Sequence, residues 1–136
     1  MVFTKEQLVR FEHCDAAGIV FYPRYFTMLN GLVEDWFREE LKYPFEAMHH
    51  NSGIPTVDIK AQFKSPAKMG QTLTKSLWVE KIGGASCTYG YHFKVGERIV
   101  LEGEGTIVFV NITKDGIKPK NWGNLRSKIE SFLKEK

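Results

Sequence analysis

From Pro23 to Leu41 the apolar residues Phe26, Leu29, Val33, Trp36, Phe37 and Leu41 recur at steps of three and four. That is the period of a helix with one wide buried face. Pro23 suits the first turn, where a missing N–H costs nothing and φ is already near the helical value, so the helix is expected to begin there. Lys42-Tyr43-Pro44 is expected to end it, because a residue before proline is driven out of the α region. Beyond Pro55 the period drops to two. In VDIKAQFK, Val57, Ile59, Ala61 and Phe63 alternate with Asp58, Lys60, Gln62 and Lys64, a strand with one wet face. Gln71 to Ile82 gives another strand, and Gly83-Gly84 is expected to supply the positive-φ pair of a tight hairpin. Ser86 to Val95 then sets Cys87, Tyr89, Tyr91, Phe93 and Val95 on one face.

Gly96-Glu97 predicts a two-residue turn into a last long strand, Ile99 to Val110, and Asp115-Gly116 turns the chain again. Within that strand Gly103 and Gly105 point to a bulge or to something packed close against the backbone. Phe3 to Glu12 reads as a first strand, and the tail from Asn121 carries Leu125, Ile129, Phe132 and Leu133 at helical spacing. The order is therefore strand, long helix, and four consecutive strands able to pair through hairpins. This is an α+β domain, a mostly antiparallel five-stranded sheet curled around one long helix, with a C-terminal helix. Such a sheet keeps open edges, which dimerisation commonly pairs away, so a homodimer or homotetramer is expected.

With 136 residues the chain fits one domain, expected to span residues 1–136. Charged residues make up 26% and the net charge is only +3, with lysines interleaved among acids rather than clustered; this argues against nucleic-acid binding. Two cysteines, Cys14 and Cys87, form no CxxC and no zinc-type spacing, so no metal is expected. Neither a long apolar signal segment nor a window of membrane-span length is present, and a cytoplasmic protein without a membrane partner is the default expectation.

Against this background one carboxylate stands out. In HCDAAGIVFYPRYF, His13 to Phe26, Asp15 sits among apolar and aromatic neighbours just ahead of the long helix. Asp-x-x-Gly alone is ordinary turn chemistry, the carboxylate accepting backbone N–H bonds and the glycine taking positive φ. Here, however, the turn runs into a helix N-terminus, whose unpaired N–H groups and positive dipole end can receive a developing oxyanion. An acid and an oxyanion site then lie a few residues apart.

Cys14 to Tyr25, C-D-A-A-G-I-V-F-Y-P-R-Y, resembles the signature of the 4-hydroxybenzoyl-CoA thioesterase family of hotdog-fold proteins, in which D-x-x-G-hydrophobic-hydrophobic-aromatic-Tyr opens the central helix. Ser52-Gly-Ile-Pro-Thr-Val, the strand order and the chain length fit as well, so the resemblance covers nearly the whole chain. It implies an acyl-CoA thioesterase acting on an aromatic or short acyl group. Asp15 would attack the thioester carbonyl or activate a water that does, the two routes staying open. The Tyr22 backbone N–H would polarise the thioester oxygen, and Gly18 would let the loop pass close to substrate. No metal or redox cofactor is implied. One departure is Asn30: eight residues beyond the helix-opening tyrosine, members that hydrolyse 4-hydroxybenzoyl-CoA carry an acid that reads the phenol. An amide still hydrogen-bonds a hydroxyl but offers no full charge, so strict 4-hydroxybenzoyl specificity is not expected.

Alternatives remain at this level: a thioesterase for acyl-carrier-protein substrates, or a non-catalytic acyl-binding module on the same fold. The acid discriminates, since a pure binder has no need to keep one in an apolar pocket. Cys14 beside His13 suggests a thiol nucleophile, but neighbouring residues on a strand face opposite ways and free cysteine is usually a small buried hydrophobe. His49-His50 reads as solvated or as lining the mouth of the site, and His92 as a residue of the wetter strand face. Trp36, Phe37 and the tyrosines of Ser86 to Val95 have the spacing of core packing. Lys60, Lys64, Lys68, Lys118 and Lys120 are candidates for the CoA phosphates or simply protect strand edges.

Overall fold

The structure is a computed structural model and describes residues 1–134. The last two positions of the expected domain span, Glu135 and Lys136, lie outside the described residues. In chain order the elements are β1 (Phe3–Leu8), a 3-10 turn (Phe11–His13), α1 (Tyr22–Glu39), α2 (Phe45–Met48), β2 (Ser52–Gly53), β3 (Thr56–Phe63), β4 (Thr72–Ile82), β5 (Ser86–Val95), β6 (Arg98–Val108), β7 (Val110–Thr113), β8 (Gly116–Pro119) and α3 (Leu125–Glu130). An antiparallel five-stranded sheet runs β1-β4-β5-β6-β3, and β2, β7 and β8 form a small second sheet.

The main sheet buries one face against α1. Leu73, Leu77, Val79, Tyr89, Tyr91, Phe93, Leu101 and Ile107 meet Met28, Leu29, Leu32, Val33, Trp36 and Phe37 in one hydrophobic cluster. Each large apolar side chain buried there contributes about 1.5–3 kcal/mol relative to exposure, which is why the three- and four-step pattern of α1 survives as its buried stripe. The sheet wrapped on a central helix is the hotdog arrangement. Gly103 and Gly105 serve close packing rather than a bulge, since the β5–β6 register runs unbroken past both. A Cβ on Gly105 would stand 2.5 Å from the Tyr89 ring, and one on Gly103 would strike the Lys60 carbonyl and lie 2.9 Å from the Tyr91 hydroxyl. The glycines thus let two tyrosines lie across the sheet, and the Tyr91 hydroxyl donates to the Lys60 carbonyl at 2.9 Å.

Several expectations are corrected. The four later strands do not all pair through hairpins, because β3 pairs with β6 at the far edge instead of with β4. The intervening segment crosses the sheet end, with Lys64 N–H donating to the Val100 carbonyl, the Ala67 carbonyl accepting from Val20 N–H, and Gly70 N–H donating to the Val9 carbonyl. The alternating β3 is not half-buried: Val57 is 61% exposed and Phe63 50%, because this edge strand has a strand neighbour, β6, on one side only and α1 covers Phe63 only through Tyr22, Tyr25 and Phe26. The first strand stops at Leu8, since Phe11–His13 coils into a 3-10 turn with Phe11 in solvent. The helix opens one residue early, at Tyr22, and closes at Glu39; Lys42 takes φ 57°, reversing the chain before Pro44 acts. Neither Gly83 nor Gly84 takes positive φ; their loop is closed by Gly83 N–H donating to the Ser86 carbonyl at 2.8 Å. The last long strand breaks at Phe109, whose ring stacks on Trp122 at 5.0 Å, and its continuation joins the second sheet.

Candidate active site

The stretch from His13 to Phe21 folds into a small closed loop whose own backbone holds it. Cys14 and Val20 face each other as an antiparallel bridge, Phe21 N–H donates to the His13 carbonyl at 2.9 Å, and Asp15 N–H donates to the Ile19 carbonyl at 3.1 Å. At the tip Gly18 N–H bonds the Asp15 carbonyl at 3.0 Å, and Asp15 Oδ1 accepts the Ala17 N–H at 2.8 Å. This is the turn chemistry expected of Asp-x-x-Gly, and it leaves Oδ2 without a hydrogen-bond partner among the described residues. The crossing segment pins the loop from beneath, through Val20 N–H to the Ala67 carbonyl and Met69 N–H to the Gly18 carbonyl.

Gly18 takes φ 76°, and a Cβ there would meet nothing within 4 Å. The demand for glycine is therefore its left-handed backbone; the space beside it is open. The loop delivers the chain directly into α1, with extended Phe21 as the N-cap and Tyr22 and Pro23 in the first turn. Tyr22 N–H finds no acceptor among the described residues, and the unpaired amides of a helix start carry the positive end of the dipole. Asp15, Phe21 and Tyr22 are all exposed in the single chain. The apolar pocket expected around the acid is therefore not supplied by one chain.

Asn30 lies elsewhere. It lines a cavity of about 520 Å³ along α1, walled by Phe26, Leu29 and Val33 on the helix, by Tyr89 and Ile107 of the main sheet, and by Ile112 and Ile117 of the second sheet. Asp15, Gly18 and Tyr22 do not line it. The two regions are joined through Phe63 of β3, whose ring lies 6.0 Å from that of Tyr22 and 6.3 Å from that of Phe26, edge-on to both. Asn30 was expected from the sequence and the second-sheet wall was not; the wall's signal there is the short apolar alternation Val110, Ile112 followed by Ile117.

The remaining candidates sort by their contacts. His13 is in the 3-10 turn rather than on a strand; its Nδ1 accepts the Arg10 N–H at 2.9 Å, and burial pushes its pKa below the usual histidine value. The Cys14 thiol is aimed at the Arg10 carbonyl, 3.5 Å away, and not at His13. Cys87 is fully buried, which pushes its thiol up to about 12. His49 and His50 are both exposed, as a solvated pair would be; His49 also borders the cavity, with Nδ1 2.8 Å from the Phe45 carbonyl. His92 packs on Trp78, ring centroids 5.1 Å apart, and burial lowers its pKa. Lys120 bonds Ser52 Oγ at 2.9 Å and covers Phe109, and Lys64 pairs with Glu102 at 3.5 Å. Lys68 is the lysine bridged to the motif loop, opposite Ile19. Among the described residues no helix is long and apolar enough to cross a membrane.

Known proteins share this architecture. A family model described as the thioesterase-like superfamily matches residues 9–136. A dynemicin thioesterase superposes with TM-score 0.92 at 13% identity, covering 100% of each chain. A gentisyl-coenzyme A thioesterase is 25% identical, with TM-score 0.82 over 91% of this chain and 98% of its own. A 1,4-dihydroxy-2-naphthoyl-CoA thioesterase from Synechocystis gives TM-score 0.79 at 19% identity, over 95% and 96%. No curated protein matches the chain significantly. Since the family match takes in the motif loop, the central helix and every strand from β2 onward, the chain belongs to the thioesterase-like superfamily and is a thioester hydrolase.

Proposed function

We propose that the chain hydrolyses the thioester of an aromatic or short acyl-CoA at the head of α1, with Asp15 as nucleophile or general base. The observation that carries this reading is the loop itself, which presents a carboxylate on the same short hairpin that ends at the unpaired Tyr22 N–H. The thioester oxygen is received by that N–H and the helix dipole, which stabilise the negative charge developing on it. Asp15 then either adds to the carbonyl, giving an anhydride that water opens, or removes a proton from the water that adds. Both routes expel the CoA thiolate, which leaves as the thiol once protonated, and release a free acid. Neither needs a metal or redox cofactor. Gly18 leaves room beside the loop for the pantetheine arm, and Lys68, bridged to the loop, is the best placed of the candidate lysines to meet phosphate.

A homodimer or higher homo-oligomer completes the site in this reading. Its support is the exposure of Asp15 and of the apolar edge strand β3, a combination that solvated edges normally avoid. A reducing compartment such as the cytoplasm suits the two unpaired thiols. The gentisyl-coenzyme A thioesterase, by its name, acts on the CoA thioester of an aromatic acid, which favours a CoA thioester here.

A hydrolysis screen tests the reading. Asn30 reads a polar acyl tip less sharply than a carboxylate would, so benzoyl-CoA and 4-hydroxybenzoyl-CoA are expected within about a hundredfold of each other in kcat/KM, under roughly 3 kcal/mol of transition-state binding. A preference of several thousandfold for the hydroxylated substrate contradicts this role of Asn30, and no turnover of any acyl-CoA contradicts the activity.

A further inference from the structure

A second cavity, of about 570 Å³, lies beyond the C-terminal end of α1 and shares no lining residue with the first. The 18 residues of α1 put it about 27 Å along the helix from the motif loop, at 1.5 Å per residue. Buried Leu41, Phe109 and Trp122 form its floor, the last two stacked with ring centroids 5.0 Å apart. Tyr43 meets Phe109 edge-on at 6.4 Å and, like Leu125, is only half-buried, so these two keep apolar surface open to the cavity.

The rest of the wall is polar and cationic. Lys42 follows the end of α1, Lys120 follows β8 and Lys128 lies in α3; all three line the cavity, together with Asn121 and Asn124. No Asp or Glu lines it among the described residues. Of the acids nearest in sequence, Glu39 pairs with Lys5 at 2.9 Å, Glu130 pairs with Arg126 at 3.6 Å, and Glu40 is exposed outside the lining. Two of the lysines are seated by contacts that use part of their donors: Lys128 Nζ donates to the Leu41 carbonyl at 3.1 Å, and Lys120 Nζ donates to Ser52 Oγ at 2.9 Å while standing 4.5 Å from the Phe109 ring centroid. An ammonium carries three donors, so each keeps donors for a ligand. Lys42 takes φ 57°, a left-handed conformation strained for a residue with a side chain and natural to glycine. Such strain collects at ligand clamps, and here it sets a third ammonium at the same cavity.

We propose that this cavity is a separate binding site for a phosphorylated ligand with a flat apolar body, of the nucleotide class. Lys42, Lys120 and Lys128 receive the phosphates, and Tyr43 and Leu125 receive the body. Lysine binds phosphate as a point charge, and three converging cations with no acid in the wall suit a diphosphate better than a single carboxylate. An inorganic anion alone leaves the apolar wall uncovered, and an uncharged aromatic leaves the three ammonium groups unmatched. The proposal does not depend on the role of Asp15.

Calorimetric titration with ADP, inorganic pyrophosphate and adenosine separates the anion from the body. Expected is an ADP affinity at least about tenfold above that of either fragment, falling as sodium chloride is raised because exposed ammonium–phosphate attraction is screened. Lys42→Gly should weaken ADP by about fivefold and raise the melting temperature, since glycine takes the same φ without strain; a lysine with no ligand would give the second effect alone. Lys128→Gln, at an exposed position, should show a similar loss of affinity, with acyl-CoA hydrolysis unchanged in both variants. Coenzyme A carries the same chemistry and is titrated beside ADP: a second class of CoA sites that the Lys42→Gly protein lacks names CoA as the source, and a single class untouched by the variant names a free nucleotide. Absence of ADP binding would overturn the proposal. So would ADP affinity unchanged in both variants, which would put the nucleotide elsewhere, or pyrophosphate binding as tightly as ADP, which would leave only a basic surface.

Discussion

The head of α1 and the cavity two turns along it are built in opposite ways. The head is made from consecutive residues, His13 to Pro23, held by their own backbone bonds and pinned at Ala67 and Met69, with Asp15 and Tyr22 exposed in the single chain. The cavity collects side chains from positions as distant as Phe26 and Ile117, from a helix and two sheets, and is apolar throughout most of its wall. Groups placed by a short loop depend on few other residues, here the crossing segment at Ala67 to Met69, whereas a wall assembled from remote strands can change residue by residue without disturbing them. In the proposed reading, the difference separates what the chain does to a thioester from which acyl group it accepts.

The contrast can be broken first at the head. Tyr22→Pro removes the backbone N–H while keeping a residue suited to the first helical turn, and Phe21 at φ −72°, ψ 123° already has the conformation that precedes proline. The expected result is a folded protein whose kcat falls by about a hundred- to a thousandfold, the usual loss for one oxyanion donor, while Tyr22→Phe retains most activity. A Tyr22→Pro enzyme with normal kcat would remove the amide from the mechanism.

A smaller effect is expected at the edge strand that joins the two regions. Val57→Lys places a charge on an apolar position 61% exposed in the single chain, and should weaken self-association by about tenfold or more if this edge lies in an interface. Sedimentation at several concentrations, read beside kcat/KM, checks it; a fully active monomer in the parent protein would contradict a site shared between subunits.

The smallest effect is on stability against pH. Burial holds the pKa values of His13 and His92 below the ordinary histidine value in the folded chain. In the unfolded chain both revert to about 6.5, so the unfolded state binds more protons just below that pH. Stability is therefore full above about 6.5 and falls as the pH drops toward the folded-state pKa values. Melting curves between pH 8 and 5.5 should show the decline, shallower in His13→Asn; a melting temperature that rises on acidification would contradict the sign.

Much of the head was legible in the sequence because its signals are local. Asp-x-x-Gly fixes a turn, Tyr-Pro marks a helix start, and α1 wrote its buried face at helical spacing. The five strands of the main sheet were legible, and the β4–β5 and β5–β6 hairpins with them, but the partner of β3 was not. Nothing in VDIKAQFK distinguishes a neighbour of β4 from a far edge beside β6; that choice is made by the backbone bonds of Lys64 to Gly70 with the motif loop and the sheet end. Gly83-Gly84 misled because a longer loop closes without positive φ. The break at Phe109 went unseen because stacking on Trp122 is a contact between residues thirteen apart, invisible to any local period. For the same reason Asn30 could be named while its surroundings could not.

The account turns on Asp15. Steady-state hydrolysis of a reactive acyl-CoA by Asp15→Asn, measured beside Cys14→Ser on proteins shown to be folded and equally associated, tests it most directly. The account predicts a loss of at least about a hundredfold for Asp15→Asn, the lower range for removing a positioned acid, base or nucleophile, and near-normal turnover for Cys14→Ser. Near-normal turnover by Asp15→Asn would contradict it.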